Sequence, residues 1–421
     1  MNVSENSIGP IIDKLIIGLI MCKVFIFEFL GVAGYINTLI LVFIAIRLLF
    51  SNWLIPKKLL LLVGIFVMLL IISYSAGCSV PGKAVYNLRA LQTFIFYALY
   101  IAMLKVNRST LLDFKKTTWI VFFNVVYVIN CLIMLMQVLF PYSFMAAAPA
   151  TGQIPFYDDL VSGLFMYAST HAVALFSCFV LLIDMNRIRN ADGELQIPIF
   201  CCAVFVFVSA LGMAALNDNK ALFALMPIVL LLFYTESLSS VNFEKVAKSL
   251  TFLVALLLFI ISLCAINSSF ALFINDNVLS LFDLVKSSSS LGTGAVGSGE
   301  RIAIIQYSFD MPSSWFFGIG LGAATFHEGY FCGFTHFGQA DFGSLTILLG
   351  IWFLVVLISI YVLCVSCECR GRRLYVLLLS LCALALIAAI YTQCFTRANN
   401  SVLILFIGLA LADRWSIVAQ K

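Results

Sequence analysis

Charge is scarce in this chain: 10% of its 421 residues are Asp, Glu, Lys or Arg, against 63% hydrophobic residues, where a soluble domain carries roughly 25% charged residues. That deficit excludes a soluble globular protein. The basic residues that do occur give a formal net charge of +4, but they are spread thinly between apolar runs and form no patch, which excludes a nucleic-acid partner. Histidine is almost absent, with three in the chain. Metal-ligand spacing is also lacking. Most of the thirteen cysteines (Cys22, Cys131, Cys178, Cys201, Cys202, Cys264, Cys382) lie inside apolar runs as small hydrophobes. Cys367 and Cys369 flank Glu368 beside Arg370, Arg372 and Arg373, the wrong pattern for zinc. Neither a metal nor a cofactor is expected. The first apolar run has no small-residue cleavage site behind it, so no removable signal peptide is expected either.

What the chain has in abundance is apolar runs of about 20 residues, each enough to cross a hydrocarbon core about 30 Å thick, and its mean hydropathy is +1.10. Runs and breakers predict spans near residues 12–30, 34–50, 59–76, 89–104, 118–140, 163–184, 197–215, 222–240, 249–266, 344–366, 374–392 and 400–416. Only Gly31 and Gly34 separate the first two, which leaves open one bent element. The expected fold class is all-α: a polytopic integral membrane protein of about twelve transmembrane helices with the lipid bilayer as its solvent. Helices 1–9 fall within residues 1–266, one long outside loop spans 267–343, and helices 10–12 lie within 344–421, all in a single membrane domain.

Lys and Arg in short loops mark the cytoplasmic side of a membrane protein. With the N-terminus inside, the inside loops hold Arg47, Lys57 and Lys58, then Lys105, Arg108, Lys115 and Lys116, then Arg187 and Arg189. Lys245 and Lys248, Arg370, Arg372 and Arg373, and finally Arg414 complete the set. The opposite loops keep isolated cations only: Lys83, Arg89, Lys220, Lys286, Arg301 and Arg397. Both termini are then cytoplasmic. The outside segment from about Asn267 to Gly343 is long in a chain of otherwise short loops and Ser/Gly-rich over Ser287–Gly299, so it is expected to carry function.

The outside polar residues are few. Arg89 opens the fourth expected span, Asp218 and Lys220 sit in the turn before the eighth, and Arg397 lies between the last two. Arg301, His327, Glu328, His336 and Asp341 belong to the long loop. Turns as short as those around Lys220 and Arg397 hold their cations at the membrane boundary, where ionisable groups are usually functional or paired. Such a cluster suits the anionic headgroup of a lipid, above all a diphosphate, because Arg binds phosphate oxygens through two parallel bonds and Lys supplies a point charge. The plainer reading, helix anchoring by snorkelling, is preferred for Lys83 and Lys286. A loop histidine such as His336 can take a proton from an attacking hydroxyl while a carboxylate orients its ring; a surface histidine without a role is the alternative. The third histidine, His171, falls inside an expected span.

The stretches SGERIAIIQYSFDMPSSWFFGIGLG and THFGQADFGSLTILLG resemble the signature region of the bacterial O-antigen polymerase and O-antigen ligase superfamily: an Arg-led amphipathic segment, a Pro and Gly-x-Gly turn, then a His followed by an acidic residue and Gly at membrane re-entry. Arg301, Pro312, Gly318, Gly320, Gly322, His336, Asp341, Gly343 and Gly350 carry the match. ALNDNKALFALMP, with Lys220, is similar to the family's polar turn, and CFTRANNSVLILF, with Arg397, to its late outside turn. The resemblance covers the C-terminal half. Lys220 stands where Arg is frequent, and His336 is followed by Phe337 and Gly338 rather than directly by a polar residue, which tilts the match toward a polymerase.

The resemblance implies a glycosyltransferase of the bacterial inner membrane. It would polymerise oligosaccharide repeats carried on undecaprenyl diphosphate into O-antigen or a related surface polysaccharide of lipopolysaccharide type, at the periplasmic face, with a chain-length regulator as a further partner. Arg301, Lys220, Arg397 and Arg89 would bind the diphosphate, His336 would serve the acceptor hydroxyl, and Asp341 would orient the histidine or the acceptor. A ligase transferring glycan to lipid A core would use the same donor. A secondary transporter is the rival of another class; it would use Lys23, Glu28 and Glu236 within the spans, but the paired half-sequences typical of such proteins are missing. A helix is expected to start near Phe342, with His336 outside it.

Overall fold

A computed structural model describes residues 5–51, 55–140, 161–165, 169–190, 197–217, 220–238, 298–367, 369 and 374–418. The helices are α1 (Glu5–Cys22), α2 (Ala33–Phe50), α3 (Lys57–Ala76), α4 (Pro81–Val106), α5 (Thr117–Leu139), α6 (Thr170–Asn190), α7 (Ile197–Leu216) and α8 (Lys220–Leu238). After them come α9 (Ser298–Asp310), an antiparallel hairpin of β1 (Gly329–Phe331) and β2 (Phe334–Phe337), then α10 (Asp341–Leu349), α11 (Ile351–Ser366), α12 (Leu374–Tyr391) and α13 (Ala398–Val418). Among the described residues, seven helices, α2 to α7 and α12, are long and apolar enough to cross a membrane by length and composition; α11 and parts of α8 and α13 are shorter apolar helices. The fold is that of an all-α membrane protein. The expected span near 249–266 lies outside the described residues, as do Lys286 and the first part of the long loop.

Helices α4, α6 and α13 form the buried heart. α6 packs on α13, α7 and α8, while α4 packs on α2, α11 and α13. The outer helices bury a single stripe: in α2 it is Ala33, Ile40, Ile44 and Leu48, and in α3 Leu59, Phe66, Leu70 and Ser73. Their remaining faces carry exposed Leu39, Val42, Leu61, Met68 and Ile71. Apolar groups on both faces mean that hydrophobicity cannot choose the inner one; close packing and buried polar contacts do. One such contact is Arg47 of α2, which grips Asp13 through two bonds of 3.0 Å each while Tyr100 of α4 donates to the same carboxylate at 3.2 Å.

The two ends of the bundle differ in kind. At one end Lys105 and Asp413 pair at 2.7 Å, Asn186 donates to the Ala410 carbonyl at 2.9 Å, and Arg47 lies close to Tyr100, one turn before Lys105. The opposite end carries the loop that holds α9 and the hairpin.

Several expected boundaries shift. α4 begins at Pro81, whose fixed φ suits the first helical turn, eight residues before the expected start. Arg89 is therefore in the body of the helix and exposed, not at its opening. α6 starts at Thr170, so His171 occupies its first turn rather than the interior of a span. α1 ends in a π turn, Lys23–Phe27, and Gly31 at φ 75° separates it from α2, which settles the first two elements as distinct.

The expected single span 344–366 is broken into α10 and α11 at Gly350, where φ is 90° and an added Cβ would fall on the Phe316 carbonyl oxygen. The cause is the Gly-x-Gly loop, which inserts its own main chain. The amides of Ile319 and Gly320 donate to the carbonyls of Ile347 and Leu348 at 2.9 and 3.0 Å, taking acceptors that a continuous helix would keep.

Candidate functional site

Everything at the loop end hangs on main-chain contact between distant segments. The glycine loop lies between the end of α10 and the start of α4, where Cys78 and Val80 donate to Ile319 and Gly322 at 3.0 Å each. Gly320 and Gly77 meet backbone to backbone, at a φ of 121° for Gly320, so neither place has room for a side chain. The buried amide of Asn87 completes the seam. It donates to the carbonyls of Leu321 and Ala324 at 2.7 and 2.8 Å and accepts from Phe326 N–H at 2.9 Å. Lys83 pairs with Glu328 at 2.7 Å, which corrects its reading as a bare membrane anchor. Hydrogen bonds from Lys83 and from Thr325 outweigh the burial of Glu328 and hold its carboxyl below the usual range.

The turn between α12 and α13, residues 391–397, is the centre of the site. Asp341, the first residue of α10 and 0% exposed, braces it from below. Its carboxylate accepts from Phe395 N–H and the Thr396 hydroxyl at 2.5 Å each, and its own N–H donates to the Thr392 carbonyl at 3.0 Å. Both oxygens of Asp341 are thus engaged by the turn that presents Arg397. Gln393 occupies the middle. It bonds the Gly338 carbonyl, lies 3.1 Å from Nδ1 of His327, and accepts from the Arg397 guanidinium at 3.4 Å.

Arg301 reaches the same turn from α9, donating to the Tyr391 carbonyl at 3.4 Å and to Gln339 at 3.1 Å. The two arginines expected to act together are therefore fastened to one turn, from opposite sides in sequence. Their charges both act on His171 at the start of α6. Glu300, beside Arg301, bonds the N–H of Thr335 and, at 2.8 Å, its hydroxyl. That clamp fixes strand β2 against α9 one residue before His336, whose backbone lies in β2 and whose side chain, like that of Lys220 at the start of α8, is outside the described atoms. Arg89 is not brought into this group; its guanidinium is exposed and makes no hydrogen bond or ion pair among the described residues.

Sequence reasoning missed the floor of the site. Lys23 is 1% exposed, donates to Asn399 Oδ1 at 2.6 Å and pairs with Glu28 at 3.5 Å. The π turn makes that pair possible: residues five apart, which diverge on an α-helix, stack when the bonding is i to i+5, as the Glu28 N–H to Lys23 carbonyl bond of 3.1 Å shows. Two of the three charges assigned to a transport pathway in the rival reading, Lys23 and Glu28, thus serve each other and the Arg397 segment; the side chain of the third, Glu236, lies outside the described atoms. His327, which the sequence placed in the loop without a role, is the other residue missed. Burial first, and the Arg397 charge second, push its imidazole down to about 4, so at neutral pH it is uncharged and T-stacked on Tyr86 with ring centres 6.0 Å apart. A hint was present: YTQCFTRANNS packs seven polar residues between two apolar helices.

Chemically, the arrangement is a cationic, water-poor corner with two guanidiniums, the neutral imidazole of His327, amides, and carboxylates already spent on structure. It can bind an anion and orient hydroxyls. Among the described residues no cluster of His, Cys, Asp or Glu suits a metal ion. No protein-family model matches the chain, and comparison with curated proteins finds no match.

Proposed function

We propose that the protein is a membrane glycosyltransferase that polymerises oligosaccharide repeats carried on undecaprenyl diphosphate into O-antigen or a related surface polysaccharide. The observation that carries this reading is the attachment of Arg301 and Arg397 to the single 391–397 turn, at its Tyr391 carbonyl and its Gln393 side chain, which gives one short segment two planar donors suited to an anionic group. A diphosphate is a good leaving group that needs its developing charge stabilised, and preorganised cations in a water-poor site do this well. In this reading the twelve spans place the loop on the periplasmic side of the inner membrane, both termini in the cytoplasm, and Lys220 near the same anion. The Glu300–Thr335 clamp supports His336 as the group that serves the acceptor hydroxyl, since it fixes the strand that carries the histidine beside Arg301. Asp341 acts by shaping the Arg397 turn.

The test uses purified protein and a lipid-linked oligosaccharide. His336→Ala should lose roughly 10²-fold or more in turnover and still insert normally, whereas Arg301→Ala and Arg397→Ala should weaken donor binding, with Lys restoring it only in part. Near-normal polymerisation by all three variants would sink the proposal. In a deletion strain, single repeats on the surface glycolipid fit a missing polymerase, and polymer stranded on the carrier lipid points to a ligase instead.

A further inference from the structure

Beside the arginines lie two buried polar side chains that nothing satisfies. Asn400 is 1% exposed, and neither its Nδ2 nor its Oδ1 has a hydrogen-bond partner among the described residues; His171 is 8% exposed, and its Nδ1 has none either. Native proteins pair more than about 90% of buried polar groups, so two such groups at one end of the bundle point to a partner that the described residues do not supply. Asn399, the neighbour of Asn400, is by contrast engaged by Lys23.

Helix geometry puts the two at one level of the bundle. α6 and α13 lie side by side and run in the same direction, since Phe179 meets Phe406 with ring centres 5.6 Å apart and, further on, Asn186 bonds Ala410. Following both helices back from these pairs brings His171 level with the Arg397–Asn400 turn, and the Arg301 and Arg397 charges both reach the imidazole. Asn400 is three residues past Arg397 and therefore on the same face, one turn along.

We infer that His171 and Asn400 form a binding subsite for an uncharged, hydroxyl-bearing group, a sugar, held next to the anion that Arg301 and Arg397 bind. The inference rests on the diphosphate reading of those arginines. The choice of a polyol follows from the donor and acceptor inventory: an open carboxamide offers two N–H donors and an acceptor oxygen, and a hydroxyl both gives and accepts. A second phosphate accepts only, and would leave Asn400 Oδ1 unserved. The subsite selects the sugar that adjoins the diphosphate, while the lipid is held elsewhere.

The full-length protein in nanodiscs is titrated with two probes, undecaprenyl diphosphate and undecaprenyl diphosphate bearing one N-acetylhexosamine. Wild type should bind the sugar-bearing probe about tenfold more tightly, the worth of one or two good hydrogen bonds. Asn400→Leu and His171→Phe should bring that ratio close to one, leave binding of the bare lipid within about twofold, and not lower the melting temperature of the unliganded protein, since no internal bond is removed. Arg397→Ala should weaken both probes alike. Variants that keep the wild-type ratio overturn the subsite and leave the diphosphate reading standing. A fall in melting temperature with an unchanged ratio also overturns it, by showing that the two side chains are structural. Wild type binding neither probe overturns the diphosphate reading and the subsite with it.

Discussion

Glu28→Gln tests the ion pair that contains the most buried paired cation among the described residues. Lys23 is buried with a side-chain exposure of 1%, Glu28 with 12%, and among the described residues the ammonium has only Glu28 at 3.5 Å and Asn399 at 2.6 Å to replace its hydration. Removing one member of a buried pair costs about 3–5 kcal/mol, because the other is left uncompensated. Glu28 sits slightly nearer the surface, which argues for the lower end, about 3 kcal/mol. Lys23→Met should cost less, since a carboxylate at 12% exposure can turn toward water. The double variant Lys23→Met/Glu28→Leu should come back to within about 1 kcal/mol of wild type, as apolar replacements of buried pairs generally do. The assay is chemical unfolding in mixed micelles, read by near-ultraviolet circular dichroism. Wild-type stability in Glu28→Gln would refute the burial argument, and a double variant as unstable as Glu28→Gln would show that the π turn itself needs the charges. Recovered stability in the double variant should not restore anion binding at Arg397, because Asn399 would have lost its tether.

Three other outcomes follow from the geometry. Gly350→Ala should destabilise by more than about 1–3 kcal/mol, since it forces a side chain onto the Phe316 carbonyl at a φ of 90°; unchanged thermal unfolding would count against the broken-helix seam. His327, held near 4 against about 6.5 in an unfolded chain, should make stability fall with acid: between those values the unfolded chain takes a proton that the folded one refuses. Stability is full above about 6.5, the loss amounts to about 3 kcal/mol by pH 4, and this acid-dependent loss should vanish in His327→Gln, as unfolding at graded pH would reveal. Asp341→Asn turns an N–H donor toward the Phe395 amide or the Thr396 hydroxyl, where the wild type has two acceptors. A loss of about 1–3 kcal/mol together with weaker anion binding is expected, and full binding with full stability would separate Asp341 from Arg397.

The linear sequence already held whatever depends on local composition. Transfer of apolar side chains out of water is additive along a run, so the apolar segments, their approximate ends and the alternation of cations between them were legible residue by residue. Helix starts were less so: Pro81 outweighed the polar character of the turn that follows it, and α4 grew by two turns. Arg301, Arg397 and His336 could be named as candidates, because a cation or imidazole at a membrane boundary is conspicuous in so apolar a chain.

Partnership was not legible. Lys23 and Asn399 are 376 residues apart, and Asn87 meets Leu321 across 234. Nothing in an apolar helix says which face is inner when lipid and protein interior are equally apolar, so the inner faces are chosen by scattered polar side chains whose partners lie far along the chain. The break at Gly350 has the same origin. A glycine inside an apolar run reads as part of a helix until another segment's main chain competes for its carbonyls, and that competitor, the loop at Ile319 and Gly320, is brought there only by the folded bundle.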